Sequence, residues 1–106
     1  MKARAEIVAV LEAVAEAPPP AFSGGGKWEA MHDDMAGFYE VRVRGADRCN
    51  HRLFCVLERD AEDLGGSSIV CISGLSKPVR QAASPQDYRR ALRYRDEFRQ
   101  RRTVLR

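Results

Sequence analysis

The sequence lacks a long hydrophobic run. None of its 106 residues belongs to a stretch that approaches the roughly 18 apolar residues of a membrane-spanning helix. The start of the chain intersperses Lys2, Arg4 and Glu6 with apolar residues, a mixture untypical of a secretory signal peptide. We therefore expect a cytoplasmic protein with no membrane partner.

Cysteine and histidine are scarce, at three and two residues. An odd number of cysteines without paired spacing predicts thiols in a reducing compartment. Cys49 and His51 together are too few for a tetrahedral metal site, so we expect no metal and no cofactor. Cys55 and Cys71 lie in apolar runs and are expected in the core.

Positive charge is sparse until the last part of the chain. Residues 1–76 contain eight Lys or Arg against twelve Asp or Glu, a net charge of −4, and residues 77–106 contain ten against three, a net charge of +7. The length of the chain predicts a single domain over residues 1–106. A basic end on an otherwise acidic chain favours a polyanion or an acidic protein as partner. Alternatively, the arginines belong to a solvated helix and meet acidic residues elsewhere on the protein.

Helical patterns lie at both ends of the chain. Apolar residues recur with helical spacing in residues 3–17, and Trp28, Met31 and Met35 share a face of a second helix predicted over 27–35. A closing helix is predicted over 85–102. Ser84 is a favourable N-cap for it, Pro85 suits its first position, and Asp87 suits its first turn.

An alternating pattern predicts strands between these helices. In residues 38–44, Tyr39, Val41 and Val43 point to one face, so Arg42 and Arg44 point to the other. Further strands are predicted over 51–59 and 67–75. The expected fold is α+β, with two N-terminal helices, a three-stranded antiparallel meander and a C-terminal helix.

Five cations are expected on one surface of this sheet. The first strand contributes Arg42 and Arg44, the second begins with Arg52, and the third leads to Lys77 and Arg80. Such a cluster suits a phosphodiester backbone, since arginine can bind a phosphate through two donors. The alternative is that these side chains are the solvated face of an ordinary meander.

Other candidate groups have ordinary alternatives. His32, Asp33 and Asp34 are consecutive and suit acid–base chemistry, but an exposed helix surface explains them equally well. No arrangement of Ser, His and Asp suggests a nucleophilic triad. From the residues alone, the interpretation ends at a basic α+β surface.

Four stretches follow one another in an order typical of a known family. They are KWEAM at 27–31 with GFYEVRV at 37–43, HRLF at 51–54, an apolar strand with glycine and lysine at 69–77, and a capped helix at 84–102. Together they resemble the RelE/ParE superfamily of toxins from type II toxin–antitoxin systems, and most of all its phage-derived HigB-like branch. The resemblance covers roughly residues 5–102.

This resemblance implies a fold with helices on one side of an antiparallel sheet and an endoribonuclease (mRNA interferase) that inhibits translation. Such enzymes cut mRNA on the ribosome without a metal, by attack of the ribose 2′-OH on the adjacent phosphate. Their partners are the ribosome, mRNA and a cognate antitoxin protein. By position, the catalytic residues are Arg52, Lys77 and Arg42, and the nucleic-acid-binding residues are Arg44, Arg80, His51 and Tyr39. His51 or Tyr39 is further expected to assist proton transfer.

Two other functions are compatible with the same resemblance. One is a ParE-like toxin that inhibits DNA gyrase without nuclease activity, and the other is an inactive relative that only binds. The chain departs from the family pattern in opening directly with a helix, so the family's first strand is expected to be missing, either because the start is truncated or because the sheet has lost an edge strand. Fold alone cannot choose among these functions.

Overall fold

The N-terminal helix has the predicted amphipathic character. The computed structural model of the protein describes residues 2–16, 27–45, 48–58, 64 and 66–105. In it, helix α1 spans Lys2–Glu16. Val10 and Val14 are buried, and Ile7 and Leu11 pack beside them, as the spacing predicted. Ala17, the predicted last residue, lies outside the described residues.

The predicted second helix is wrong. Residues Trp28–Ala30 form strand β1, which is followed by a single 3-10 turn at Asp33–Met35. Strand pairing places Trp28 opposite Val41 and buries its ring in the core. A nine-residue helix gains little stability by itself, so burial of the indole on a paired strand outweighs the helical spacing.

The chain continues with three longer strands. They are β2 (Phe38–Arg44), β3 (Cys49–Glu58) and β4 (Ser68–Pro78). All neighbours in the order β1-β2-β3-β4 pair antiparallel. The α+β class is confirmed, but the sheet has four strands rather than three, and its additional strand lies between α1 and β2.

Both faces of the sheet are covered by a helix. On one face, α1 packs its buried valines against Trp28, Val41 and Cys55. On the other, Phe38, Phe54 and Val56 pack against the closing helix α2, which spans Pro85–Leu105. Alternation along β2 and β3 supplies both cores from the same strands. The expectation that the helices lie on one side of the sheet is therefore wrong.

Helix α2 begins with the predicted cap. The Ser84 hydroxyl accepts a hydrogen bond from the Asp87 backbone N–H at 3.2 Å, and the Asp87 carboxylate accepts one from the Ser84 backbone N–H at 2.8 Å. This reciprocal pair satisfies two backbone donors that a helix start leaves unpaired. Pro85 occupies the first helical position, where its missing N–H has no cost.

Contacts along α2 fix its path across the sheet. Near its start, the ring of Tyr88 packs against Phe54 with the centroids 5.8 Å apart. Towards its end, Arg99 and Arg102 hold the carboxylate of Glu58, at 3.0 and 3.5 Å, at the end of β3. The helix therefore crosses from the end of β4 to the end of β3 and leaves part of β2 uncovered.

Strand β1 can be tested by hydrogen exchange. The Met31 and Arg42 backbone N–H groups donate to the Phe38 and Lys27 carbonyls at 2.9 Å each. We expect both amide protons to exchange slowly in native-state NMR measurements, since each is held in the β1–β2 pairing. Rapid exchange at both positions would contradict the β1–β2 pairing.

Candidate functional site

Arg42 and Arg52 lie directly opposite each other on β2 and β3. Side chains at such positions have Cβ atoms roughly 4.5–5.5 Å apart. Both project from the α2 face, away from Val41 and Val43, which pack under α1. The expectation from alternation, that Arg42 lies opposite the valine face with Arg52 close by, is confirmed.

A buried carboxylate lies between these two arginines. Glu40 is only 5% exposed, and its Oε1 accepts two hydrogen bonds from Arg42, from Nη2 at 2.7 Å and from Nε at 3.1 Å. Its Oε2 lies 3.5 Å from Arg52 Nη1. The hydrogen bond with Glu40 raises the pKa of Arg42. Two like charges placed opposite each other are thus compensated by one acid.

Arg52 retains an unused donor. Its side chain is 14% exposed, and its Nε is buried with no hydrogen-bond partner among the described residues. A buried N–H without an acceptor costs about 1–3 kcal/mol, so such a group in a native fold calls for an explanation. Because this Nε is closed to solvent, an anionic oxygen in the cleft becomes its acceptor only when the Arg52 side chain turns towards the cleft.

The arginines open onto a cleft of about 420 Å³. Glu40, Arg42, Arg52 and Tyr88 line this cleft. It is also lined by the end of β1 and the segment that continues through the 3-10 turn: Glu29, Ala30, Met31, His32, Asp33, Asp34 and Met35. In the turn Asp33 adopts a positive φ of 55°, which aspartate tolerates better than most residues. His32, Asp33 and Asp34 therefore line the same cleft as the arginines, instead of lying on the predicted α-helix.

Lys77 belongs to the same face but has its own acidic partner. Arg52 is opposite Leu75, so Lys77, two residues on, is its diagonal neighbour at roughly 7–8 Å. The Lys77 Nζ lies 3.4 Å from the Asp87 carboxylate. The Ser84 backbone N–H, followed by the Ser84 hydroxyl and Lys77, lowers the pKa of Asp87. One carboxylate thus joins the end of β4 to the start of α2.

The other predicted binding residues divide between the two faces. Arg44 is exposed at the end of β2, on the face of Arg42, and Arg80 is exposed in the turn after β4. His51 lies on the α1 face, with its Nδ1 2.7 Å from Ser76 Oγ. Tyr39 is on that face too, stacked on Trp28 with the centroids 4.9 Å apart. The structure therefore does not bring His51 and Tyr39 together with the cations.

Two important residues of this site were missed from the sequence. Alternation gives Glu40 no role, and the helix-start pattern explains Asp87 only as part of a cap. The available signal was the Glu-x-Arg spacing of Glu40 and Arg42, since residues two apart on a strand share a face. The contact between Asp87 and Lys77 joins separate elements and had no local signal.

Comparisons with known proteins identify no relative. No family model, no curated protein and no solved structure matches the chain. Among the described residues, no helix is long and apolar enough to cross a membrane. In the same part of the chain, no three side chains of His, Cys, Asp or Glu form a group that could hold a metal ion. Any assignment of function therefore depends on the geometry of the cleft.

The role of Glu40 can be measured by its replacement with glutamine. Glu40→Gln leaves Arg42 and Arg52 opposed without a compensating charge, so we expect a loss of about 1–3 kcal/mol in the free energy of unfolding. Urea denaturation at neutral pH measures it. The matched control is Glu97→Gln, at an exposed position of α2, which should change stability by less than about 0.5 kcal/mol. Equal stabilities of the two variants would show that Glu40 does not support the arginines.

Asp87 predicts a pH-dependent difference in stability. Because its pKa is lower in the folded state, its stabilisation is complete above the unfolded pKa of about 3.9 and is lost as the pH falls through the folded value. We expect Asp87→Asn to cost about 1–2 kcal/mol at neutral pH and progressively less below about pH 4. Urea midpoints of both proteins across this range give the difference. The control is Asp96→Asn, in the same helix but with a side chain that is 70% exposed; it should lose almost no stability at either pH. If the stability loss of Asp87→Asn did not change with pH, the pKa of Asp87 would not contribute to the stability of the fold.

Proposed function

We propose that the face formed by Arg42, Arg52 and Lys77 binds the phosphodiester backbone of RNA and cleaves it. The protein would then be a metal-free, ribosome-dependent mRNA endonuclease and the toxin of a type II toxin–antitoxin pair. The observation that carries this proposal is Arg52, whose buried Nε has no acceptor among the described residues and which lines an open cleft. A phosphate oxygen is the kind of acceptor that this guanidinium binds best.

The charge of the face is mixed. Three cations, Arg42, Arg52 and Lys77, meet two carboxylates, Glu40 and Asp87, and Glu29, Asp33 and Asp34 also line the cleft. Exposed Arg44 and Arg80 add two positive charges at the ends of the strands, so five cations and five carboxylates leave no net charge. Support for a phosphate ligand therefore comes from the guanidinium donors of Arg42 and Arg52 and not from the net charge of the face.

The proposed reaction is an internal transfer of the phosphate. The ribose 2′ oxygen attacks the adjacent phosphorus, a new O–P bond forms, and the bond from phosphorus to the 5′ oxygen breaks. The 2′-OH proton passes to a base, and the leaving 5′ oxygen takes a proton from an acid. The products are a 2′,3′-cyclic phosphate and a 5′-OH. Arg52 and Lys77 stabilise the charge that develops on the phosphate, and Arg42 positions the backbone.

The cleft also contains groups suited to proton transfer. His32 and Tyr88 line it together with the arginines, and the side chains of both residue types can donate and accept a proton. His51 and Tyr39, considered for this role from the resemblance, lie on the opposite face of the sheet. In this proposal His32 therefore replaces them as the first group to test for acid–base chemistry.

One observation favours a different function, in which the protein only binds. Arg42 and Lys77 already have carboxylate partners, at 2.7 and 3.4 Å, so a ligand must compete for them. In that case the face would recognise an anionic surface without cutting RNA. A toxin that inhibits DNA gyrase would share this geometry and is distinguished by a supercoiling assay.

Induced expression in a bacterial host tests the proposal directly. We expect growth arrest and new transcript 5′ ends at in-frame positions within minutes. Arg52→Gln should abolish both, since loss of one donor to a developing oxyanion costs about 100- to 1,000-fold in rate. Arg52→Lys keeps the charge but lacks the Nε donor, and it should also be strongly impaired.

The matched control for these variants is Arg4→Gln, at an exposed position of α1 on the other side of the sheet. It should cut as the unmodified protein does, and circular dichroism should show that all three variants are folded. Arrest without new 5′ ends would contradict RNA cleavage and direct the search to gyrase. An absence of arrest would favour the function limited to binding.

A further inference from the structure

Two cysteines lie directly opposite each other on adjacent strands. Cys55 of β3 pairs with Cys71 of β4 at the point where the register shifts after Phe54. Both side chains are on the α1 face, because Cys55 belongs to the core beneath α1 and Cys71 lines a cleft together with Val14 of that helix.

The surroundings of the two thiols are different. Cys55 has no exposed surface, whereas Cys71 is exposed. Cys71 forms part of a cleft of about 570 Å³ that is bounded by α1 and by β3 and β4 and has Leu11, Leu57 and Ile69 among its lining residues. A small reagent can therefore reach Cys71 directly, and it can reach Cys55 only through Cys71.

We propose that Cys71 and Cys55 form a peroxide-responsive thiol pair, in which Cys71 is oxidised first and Cys55 then closes a disulfide. This inference does not depend on the proposed function, because the thiols lie on the opposite face of the sheet from Arg42 and Arg52. It assigns a reversible modification site to the protein, with hydrogen peroxide as its oxidant.

The reaction balances in two steps. The Cys71 thiolate attacks one oxygen of hydrogen peroxide, the O–O bond breaks, and protonation of the departing hydroxide gives water and a sulfenic acid at Cys71. The Cys55 sulfur then attacks the Cys71 sulfur, the S–O bond breaks, and the thiol proton leaves with the hydroxyl group as a second water. Two thiols have lost two electrons, which the peroxide has gained.

Strand geometry permits this disulfide and disfavours the alternative. Opposed residues of an antiparallel pair have Cα atoms about 4.5 or 5.5 Å apart, within the range of about 4.4–6.8 Å found for disulfides. Cys49 is six residues before Cys55 on β3, a distance of about 20 Å along an extended strand. Cys49 therefore cannot replace Cys55 without movement of the sheet.

The electrostatics agree with these roles. The hydrogen bond from Cys55 lowers the pKa of Cys71 to about 7, and the same bond together with burial raises the pKa of Cys55. The charged residues that line the cleft are Glu12 of α1 and Glu58 of β3, and Glu58 is paired with Arg99 and Arg102. Cys71 is thus the thiol with more thiolate at neutral pH, as the attacking residue requires.

Peptide mapping can test the pair because trypsin separates the three cysteines. Cleavage after Arg48, Arg52, Arg59 and Arg80 places Cys49 in peptide 49–52, Cys55 in peptide 53–59 and Cys71 in peptide 60–80, since the bond between Lys77 and Pro78 resists trypsin. Folded protein at low concentration should lose about 2 Da on treatment with hydrogen peroxide. Peptides 53–59 and 60–80 should then be linked, and dithiothreitol should release them.

Variants assign the role of each thiol. Cys49→Ser should form the disulfide as fully as the unmodified protein, and Cys71→Ser should form none. In Cys55→Ala, the Cys71 sulfenic acid should persist and react with dimedone. Because Cys71 is exposed, we expect Cys71→Ser to fold. The proposal can therefore be tested with this variant even if Cys55→Ala does not fold.

Four results would overturn the proposal. The first is oxidation of Cys71 to sulfinic acid while peptides 53–59 and 60–80 remain unlinked. The second is a disulfide through Cys49, and the third is a covalent dimer through Cys71 on a non-reducing gel. Resistance of all three thiols to peroxide at a dose that oxidises free cysteine would also overturn it.

Discussion

Burial of Glu40 constrains one whole face of the sheet. A carboxylate that is removed from water must be paired with a positive charge, or it loses several kcal/mol of solvation. Arg42 makes the shorter ion pair with Glu40, and Arg52 makes the longer one. The adjacent strands β2 and β3 therefore each place one cation beside this carboxylate. The two opposed guanidinium groups that line the cleft therefore share one carboxylate.

The two-sided packing of the sheet separates different chemistries. Each face has an apolar core, but the pair of thiols lies on the α1 face, and Glu40, Arg42, Arg52 and Lys77 lie on the α2 face. Both sets come from the same strands, because successive side chains point to opposite faces. A change at one residue of β3 therefore alters one face, and only a change in strand register affects both.

Local patterns in the sequence were sufficient for much of this fold. Alternation located β2 with its correct bounds, and the Ser84–Pro85–Asp87 combination located the start of α2. Strand β1 could not be found, because three residues are too short for alternation and Trp28, Met31 and Met35 have helical spacing. Its existence depends on pairing with β2, which is a tertiary contact.

The candidate site was predictable in part for a similar reason. The side on which Arg42 and Arg44 lie follows from a period of two, but the opposition of Arg42 and Arg52 depends on the exact pairing of β2 with β3. His51 and Tyr39 were assigned by resemblance, without reference to the face on which they lie. The cleft itself requires the segment from β1 to the 3-10 turn to fold beside the sheet, which no short sequence window contains.

Trp28 gives the molecule an internal optical reporter. It is the only tryptophan, and it is buried among the residues that contact α1 and stacked on Tyr39. Indole emission shifts to the red when the ring meets water, so fluorescence follows the docking of α1 specifically. Helix α2 covers the other face and has no such chromophore beneath it. Departure of α2 can therefore be distinguished spectroscopically from departure of α1, which makes the order in which the two layers open an observable quantity.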